Sequence, residues 1–114
     1  MLILGETRVT VAGARRWALA KGATDAFISL AVLYWAYAPE RGVRPDVAYA
    51  QAAKETGYGR FGGVLDVSFR NPCGLKLRAG GPNDEPAAHA RFPTWAMGVI
   101  AHLDHLALYA GAPG

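Results

Sequence analysis

A glutamine and a glutamate, four residues apart on one predicted helix, are the residues of this sequence best suited to do chemistry. Gln51 and Glu55 lie in a segment that opens at Pro45 and closes at Gly57. Proline suits the first position of a helix because its missing N–H would have no partner there, and glycine commonly ends helices in the left-handed conformation. Side chains four apart share a helix face. The helix therefore presents an amide and a carboxylate side by side, with only alanines next to them.

The surroundings of Glu55 favour its neutral form. It falls in the last turn of the predicted helix, where the helix dipole disfavours a negative charge. Tyr58 and Phe61 follow and are expected to exclude water from the carboxyl group. Both effects suit a general acid that works near neutral pH. On spacing alone, the favoured interpretation is a solvated glutamate at a helix end.

Two segments resemble a known family. Residues 50–59, Ala-Gln-Ala-Ala-Lys-Glu-Thr-Gly-Tyr-Gly, resemble the catalytic-helix motif of bacterial and phage glucosaminidase domains, which are lysozyme-like peptidoglycan hydrolases. Further on, Asn71, Gly74, Leu75 and Lys76 resemble the motif that follows this helix in the family. The resemblance is most specific over residues 48–76 and loosest before residue 40. It implies that Glu55 is the general acid and that a small β lobe forms one wall of the substrate groove.

A second catalytic group is needed for most glycoside hydrolysis. In the family it is a carboxylate on the β lobe, so the resemblance implies Glu85, ahead of Asp84, in the predicted hairpin loop. Asp66 is a nearer alternative. The segment 83–86, Asn-Asp-Glu-Pro, also has the composition of an ordinary polar turn. If no carboxylate reaches the bond, the acetamido group of the substrate or a lytic-transglycosylase route with one glutamate remains open.

The predicted substrate site contains five further residues. Gln51 and Asn71 would bond acetamido groups, Tyr58 and Trp95 would stack on sugar rings, and Lys76 would add positive charge. Each aromatic side chain has core packing as its alternative, and so does Tyr109, which also has the chemistry to stack on a sugar. Asn71 has a structural alternative, that of tying its turn to the glutamate helix.

Three histidines raise the question of a metal. His102 and His105 are three apart on the predicted last helix, and His89 could reach them across the hairpin. With Glu85 or Asp84 they would supply zinc ligands, but their spacing matches no strong metal motif. We therefore expect a hydrogen-bonded histidine pair, and neither a metal nor another cofactor. Cys73, the only cysteine, excludes an internal disulfide.

The elements that position these residues follow from periodicity and capping. Four helices are predicted: Val11–Ala20 capped by Thr10, Ala26–Ala38 capped by Thr24 or Asp25, the glutamate helix from Pro45, and Trp95–Ala110 capped by Thr94. The alternation over Val64–Arg70 predicts a short extended piece, and Gly74–Arg78 with His89–Phe92 a hairpin. The second helix is apolar nearly all round yet shorter than the roughly 20 residues of a membrane span, so we expect it at the centre of the core. Its apolar surface could alternatively serve a partner protein.

Length and composition predict one α+β domain over residues 1–114, mainly helical and lysozyme-like with a small β-hairpin lobe. The chain is 52% hydrophobic and 18% charged with a net charge of +3, which argues against disorder. It lacks the Lys/Arg run typical of nucleic-acid binding. The apolar run at the start is too short for a secretion signal and is interrupted by Glu6. We therefore expect access to the cell wall through lysis or a holin, or as part of a longer protein.

Together these features predict a monomeric peptidoglycan hydrolase of the endolysin or autolysin type that cuts the β-1,4 glycan strand as an endo-N-acetylglucosaminidase. A muramidase or lytic transglycosylase with a single catalytic glutamate is the first alternative. A non-catalytic module that binds the cell wall or builds a phage particle is the alternative from another class.

Overall fold

The part of the chain that the structure, a computed structural model, describes is mainly helical and comprises residues 3–60, 69–73 and 90–109. Within it lie four α-helices and one short 3₁₀ helix: α1 Val11–Ala20, α2 Asp25–Tyr37, the 3₁₀ helix Pro39–Arg41, α3 Pro45–Thr56 and α4 Trp95–Tyr109. The predicted bounds of α1 are confirmed, and so is the start of α3 at Pro45. The second helix begins one residue earlier and ends one residue sooner than predicted.

Threonine side chains cap three of these helices at their N-termini. The hydroxyl of Thr10 accepts a hydrogen bond from the Gly13 amide, and that of Thr24 accepts one from the Phe27 amide. Thr94 does the same at the start of α4, with 3.1 Å between its Oγ1 and the Met97 amide nitrogen. Each hydroxyl satisfies one of the amides that a helix leaves unpaired at its start. The caps therefore fix where these helices begin, as the sequence predicted.

Helix α2 lies at the centre of the described fold and contacts α1, α3, α4 and the 3₁₀ helix. Its buried side includes Phe27, Leu30 and Tyr34. One stripe at helical spacing remains exposed, formed by Asp25, Ser29, Val32 and Ala36. The prediction of a central helix is confirmed, although this stripe faces solvent.

The start of α4 lies against the segment 69–73. At Gly98 an added Cβ would lie 2.0 Å from the Arg70 carbonyl oxygen, so only a glycine permits this close approach. Asn71 is fully buried in the same segment, and its amide nitrogen donates to the Ala90 carbonyl at 2.9 Å. The Phe92 amide donates to the Phe69 carbonyl at the same distance. These contacts join segment 69–73 to the chain that leads into α4.

The predicted β structure falls mostly outside the described residues. Within them, β pairing is limited to an isolated antiparallel bridge between Leu4 and Val43. The extended piece predicted to end at Arg70 is wrong at its last two residues: Phe69 lies in a 3₁₀ turn, and Arg70 has a φ of 47°. Residues 90–92 of the predicted return strand are not in a strand either, and residues 74–89 are not described. The mainly helical class is thus confirmed, whereas the hairpin lobe stays a prediction.

Among the described residues, no helix combines the length and the apolar character that crossing a membrane requires.

Candidate functional site

Helix α3 brings Gln51 and Glu55 together on one exposed face, as their spacing predicted. The alanines beside them, Ala48 and Ala52, are fully buried against the rest of the fold. The helix ends at Gly57, whose backbone is left-handed with φ 58° and ψ 49°. The face therefore carries two exposed polar side chains, and the small alanine side chains beside them are closely packed against the rest of the fold.

Gln51 is joined to the core by a chain of two short hydrogen bonds. Its Oε1 lies 2.6 Å from Nε2 of His102, on α4. The other ring nitrogen of His102, Nδ1, lies 2.6 Å from the hydroxyl of Tyr34, on α2. Both Tyr34 and His102 are fully buried. These two hydrogen bonds thus connect Tyr34, at the centre of the fold, through His102 to Gln51 on the exposed face of α3.

Burial keeps both rings of this chain uncharged. Burial, with a smaller contribution from the nearby His105, lowers the pKa of His102 to about 4. Burial also raises the pKa of Tyr34 well above its ordinary value, with smaller contributions from Cys73 and Tyr49. At neutral pH the neutral phenol of Tyr34 is therefore bonded to the neutral imidazole of His102.

Glu55 stands exposed one turn beyond Gln51, and no described residue forms a hydrogen bond or an ion pair with it. Tyr58, which we expected to shield its carboxyl group, points its ring toward α1 and α2 instead. That ring lies 5.6 Å from the ring of Trp17 and 6.4 Å from that of Phe27. Within the described residues, water therefore has access to the Glu55 carboxylate.

The turn after α3 is held in an unusual conformation. Tyr58 has a φ of 59°, in the left-handed region of backbone conformation that residues other than glycine seldom adopt. Its amide donates to the Ala53 carbonyl at 2.8 Å, and the Gly59 amide donates to the Thr56 hydroxyl at 2.9 Å. An added Cβ at Gly59 would lie 2.3 Å from the Thr24 hydroxyl. The turn is therefore fixed against the start of α2, and with it the end of α3 that carries Glu55.

The remaining predicted sugar contacts lie apart from this face or in packed positions. Asn71 is buried, donates to the Ala90 carbonyl and accepts from the Cys73 amide, which are the bonds of a residue that ties a turn. Trp95 is half-buried at the first residue of α4. Tyr109 is 81% exposed at the other end of α4, where its ring stacks on that of His105.

Several predicted site residues lie outside the described part of the chain: Phe61, Asp66, Lys76, Asp84, Glu85 and His89. The second carboxylate, the lysine and one of the three histidines therefore stay predictions.

The described histidines are not arranged as a metal site. Both ring nitrogens of His102 have hydrogen-bond partners, and those partners are Tyr34 and Gln51 rather than His105. Among residues 3–60, 69–73 and 90–109, no group of three or more His, Cys, Asp and Glu side chains is placed to hold an ion.

The sequence analysis missed His102 as the partner of Gln51 and Tyr34 as the partner of His102. Tyr34 and His102 are separated from each other by 68 residues and lie on different helices. A tyrosine in an otherwise apolar buried helix needs a partner for its hydroxyl, and this was the available signal. Nothing in the spacing indicates which side chain that partner is.

Two cavities lined by described residues lie away from the polar face of α3. One, of about 270 Å³, is bounded by Val9, Trp17, Trp35, Asp46, Tyr49 and Ala50 among others. The second, of about 470 Å³, lies between residues 5–7 and the segment 39–45, with Trp35 also in its wall. Neither is lined by Gln51 or Glu55, so the polar face of α3 is separate from both.

Comparison with family models, with curated proteins and with solved structures gives no significant match to this chain.

Proposed function

We propose that this chain is a glycoside hydrolase that cleaves the β-1,4 glycan strand of peptidoglycan as an endo-N-acetylglucosaminidase, with a lysozyme-like fold and with Glu55 as the general acid. The observation that carries the proposal is the polar face of α3. There an exposed carboxylate stands one turn from an amide whose oxygen is bonded to a buried histidine. The likeness of residues 50–59 and 71–76 to the glucosaminidase motifs supports the substrate class.

In this mechanism Glu55 gives its proton to the glycosidic oxygen as the bond to the sugar breaks. Binding of the glycan would displace water from around the exposed carboxyl group of Glu55. Gln51, one turn away, bonds the sugar beside the bond that is cut. The second group is a carboxylate of the proposed β lobe, Glu85, Asp84 or Asp66, or the acetamido group of the substrate.

Release of reducing ends from purified peptidoglycan tests the proposal. We expect Glu55→Gln to lower the rate by about 100- to 10,000-fold, the range found for removal of a general acid. Glu40→Gln is the matched control because Glu40 is also exposed and makes only a 3.6 Å ion pair with Arg41. It should retain full activity. Equal rates for wild type and Glu55→Gln would refute the role of Glu55.

The new end group distinguishes the enzymes that share this chemistry. A reducing N-acetylglucosamine end supports the proposed bond, a reducing N-acetylmuramic acid end indicates a muramidase, and an anhydro sugar a lytic transglycosylase. Binding to the cell wall without turnover in either protein would indicate a binding or structural module instead.

A further inference from the structure

The hydroxyl of Tyr34 sets the direction of the hydrogen bonds that reach Gln51. Tyr34 is fully buried, and the only described acceptor of its proton is Nδ1 of His102, at 2.6 Å. A buried hydroxyl that does not donate its proton costs free energy. The Tyr34 O–H therefore donates to Nδ1, which must be the unprotonated nitrogen of the ring.

That direction fixes the tautomer of His102. A neutral imidazole carries one proton, so a ring that accepts at Nδ1 carries its proton at Nε2. The pKa of about 4 for His102 means that the ring is neutral at pH 7. Its Nε2–H then donates to Oε1 of Gln51, at 2.6 Å. The opposite orientation of the amide would set two donors against each other.

The NH₂ group of Gln51 is thereby turned away from His102, and it is the only donor of this amide, whereas Oε1 is held by the bond from Nε2–H. No described residue accepts a hydrogen bond from this nitrogen, and the side chain is exposed next to Glu55. We infer that Tyr34 and His102 are positioning residues that hold the Gln51 amide with its NH₂ group toward the ligand, so that the site selects a substrate with an acceptor oxygen, the carbonyl of an N-acetyl group, at this point. The orientation rests on the hydrogen-bond geometry and the neutral ring of His102, whereas the identity of the substrate rests on the proposed function.

Removal of the Tyr34 hydroxyl tests the inference. In Tyr34→Phe the ring remains but Nδ1 loses its donor, so His102 is free to adopt the other tautomer and Gln51 to turn its amide. Tyr49→Phe is the matched control, since it removes another buried hydroxyl, which donates to the Phe27 carbonyl at 2.7 Å. Nitrogen-15 NMR of the His102 ring reports the tautomer in each protein. We expect Nε2–H in wild type and in Tyr49→Phe, and a loss of that preference in Tyr34→Phe.

Kinetics on glycan strands with and without N-acetyl groups test the selection. For the acetylated strand, KM should rise about 3- to 10-fold in Tyr34→Phe, the worth of one hydrogen bond, with a smaller change in kcat. For the de-acetylated strand the two proteins should have the same KM. Gln51→Glu keeps an acceptor for His102 but has no NH₂ group, so it should lose the same preference even if Tyr34→Phe fails to fold.

An Nδ1–H tautomer in the wild-type protein would overturn the inference. So would a KM that is unchanged in both Tyr34→Phe and Gln51→Glu, or one that rises equally in Tyr34→Phe and in Tyr49→Phe. If the wild type cleaves no glycan, the proposed function fails. The NMR result then still decides whether Tyr34 and His102 orient Gln51.

Discussion

The two sides of α3 are built in opposite ways. On one side Gln51 and Glu55 are exposed, and Gln51 is bonded to a fully buried histidine behind it. On the other side Asp46 and Ala50 border a cavity that is also lined by three aromatic rings, those of Trp17, Trp35 and Tyr49. The polar side of α3 is thus attached to the core by the hydrogen bond between Gln51 and the buried histidine. The opposite, apolar side packs against the core through aromatic rings.

This difference shows where the fold can hold a polar group in a defined orientation. An exposed glutamine normally samples many rotamers, and fixing it costs conformational entropy. On the polar side, one bond from a buried imidazole supplies the restraint. On the apolar side, ring contacts such as that between Phe27 and Tyr49, with centroids 4.5 Å apart, give stability but no directional restraint on a ligand.

The largest expected effect comes from Gly98, which holds α4 and therefore His102 in register with the polar side. In Gly98→Ala the new Cβ meets the Arg70 carbonyl, a backbone atom that cannot rotate away. We expect the free energy of unfolding, measured by urea denaturation, to fall by about 3 kcal/mol, the upper end of the usual cost of overpacking. Gly57→Ala is the control: its Cβ would meet nothing within 4 Å, so only its left-handed φ adds a cost, of about 1 kcal/mol. Equal losses of free energy of unfolding in the two variants would mean that the contact with the Arg70 carbonyl does not determine the cost of Gly98→Ala.

A second prediction concerns the stability of the polar side in acid. The pKa of His102 is about 4 in the folded protein against 6.5 in the unfolded chain, so the unfolded chain binds more protons between these values. The contribution of His102 to the free energy of unfolding is therefore fully present above about pH 6.5. It is lost as the pH drops toward 4, which lowers the free energy of unfolding by about 3 kcal/mol. Urea midpoints measured across this range for wild type and His102→Gln should diverge at high pH and converge at low pH.

His105→Gln is the control for that measurement because His105 lies on the same helix but is exposed. This variant should keep most of the wild-type fall in stability in acid, because burial, the larger cause of the lowered pKa of His102, is unchanged, whereas the smaller contribution of His105 to that pKa is removed. A wild-type profile that matches His102→Gln throughout would show that the ring of His102 is not desolvated, and the restraint on Gln51 would then lose its physical basis.

The helices were predictable from the sequence because their signals are local. Thr10, Thr24 and Thr94 cap within three residues, and Pro45 and Gly57 mark the ends of α3 by backbone geometry alone. The pairing of Gln51 with Glu55 followed from helical spacing. These features need no knowledge of the tertiary packing.

The support behind Gln51 was not predictable, because it depends on packing between distant helices. His102 reaches Gln51 across 51 residues and Tyr34 across 68, whereas the sequence showed only that His102 lies three residues before His105 on the last helix. The direction of the Tyr58 ring was missed for a similar reason. Its positive φ and the contact with Trp17 arise from the turn that follows α3, whereas sequence proximity alone put it near Glu55.

The smallest expected effect separates the two sides by function. Trp35 borders the aromatic cavity, and its indole N–H donates to the Val9 carbonyl at 2.9 Å, which holds the segment before α1. Trp35→Phe keeps an aromatic ring but removes that donor, so we expect a loss of about 1 kcal/mol in the free energy of unfolding. Under the proposed function, kcat and KM for glycan cleavage should not change, because this side of α3 does not contact the substrate. A rise in KM comparable with that of Gln51→Glu would mean that the glycan also occupies the aromatic side, and the division of α3 into two independent sides would fail.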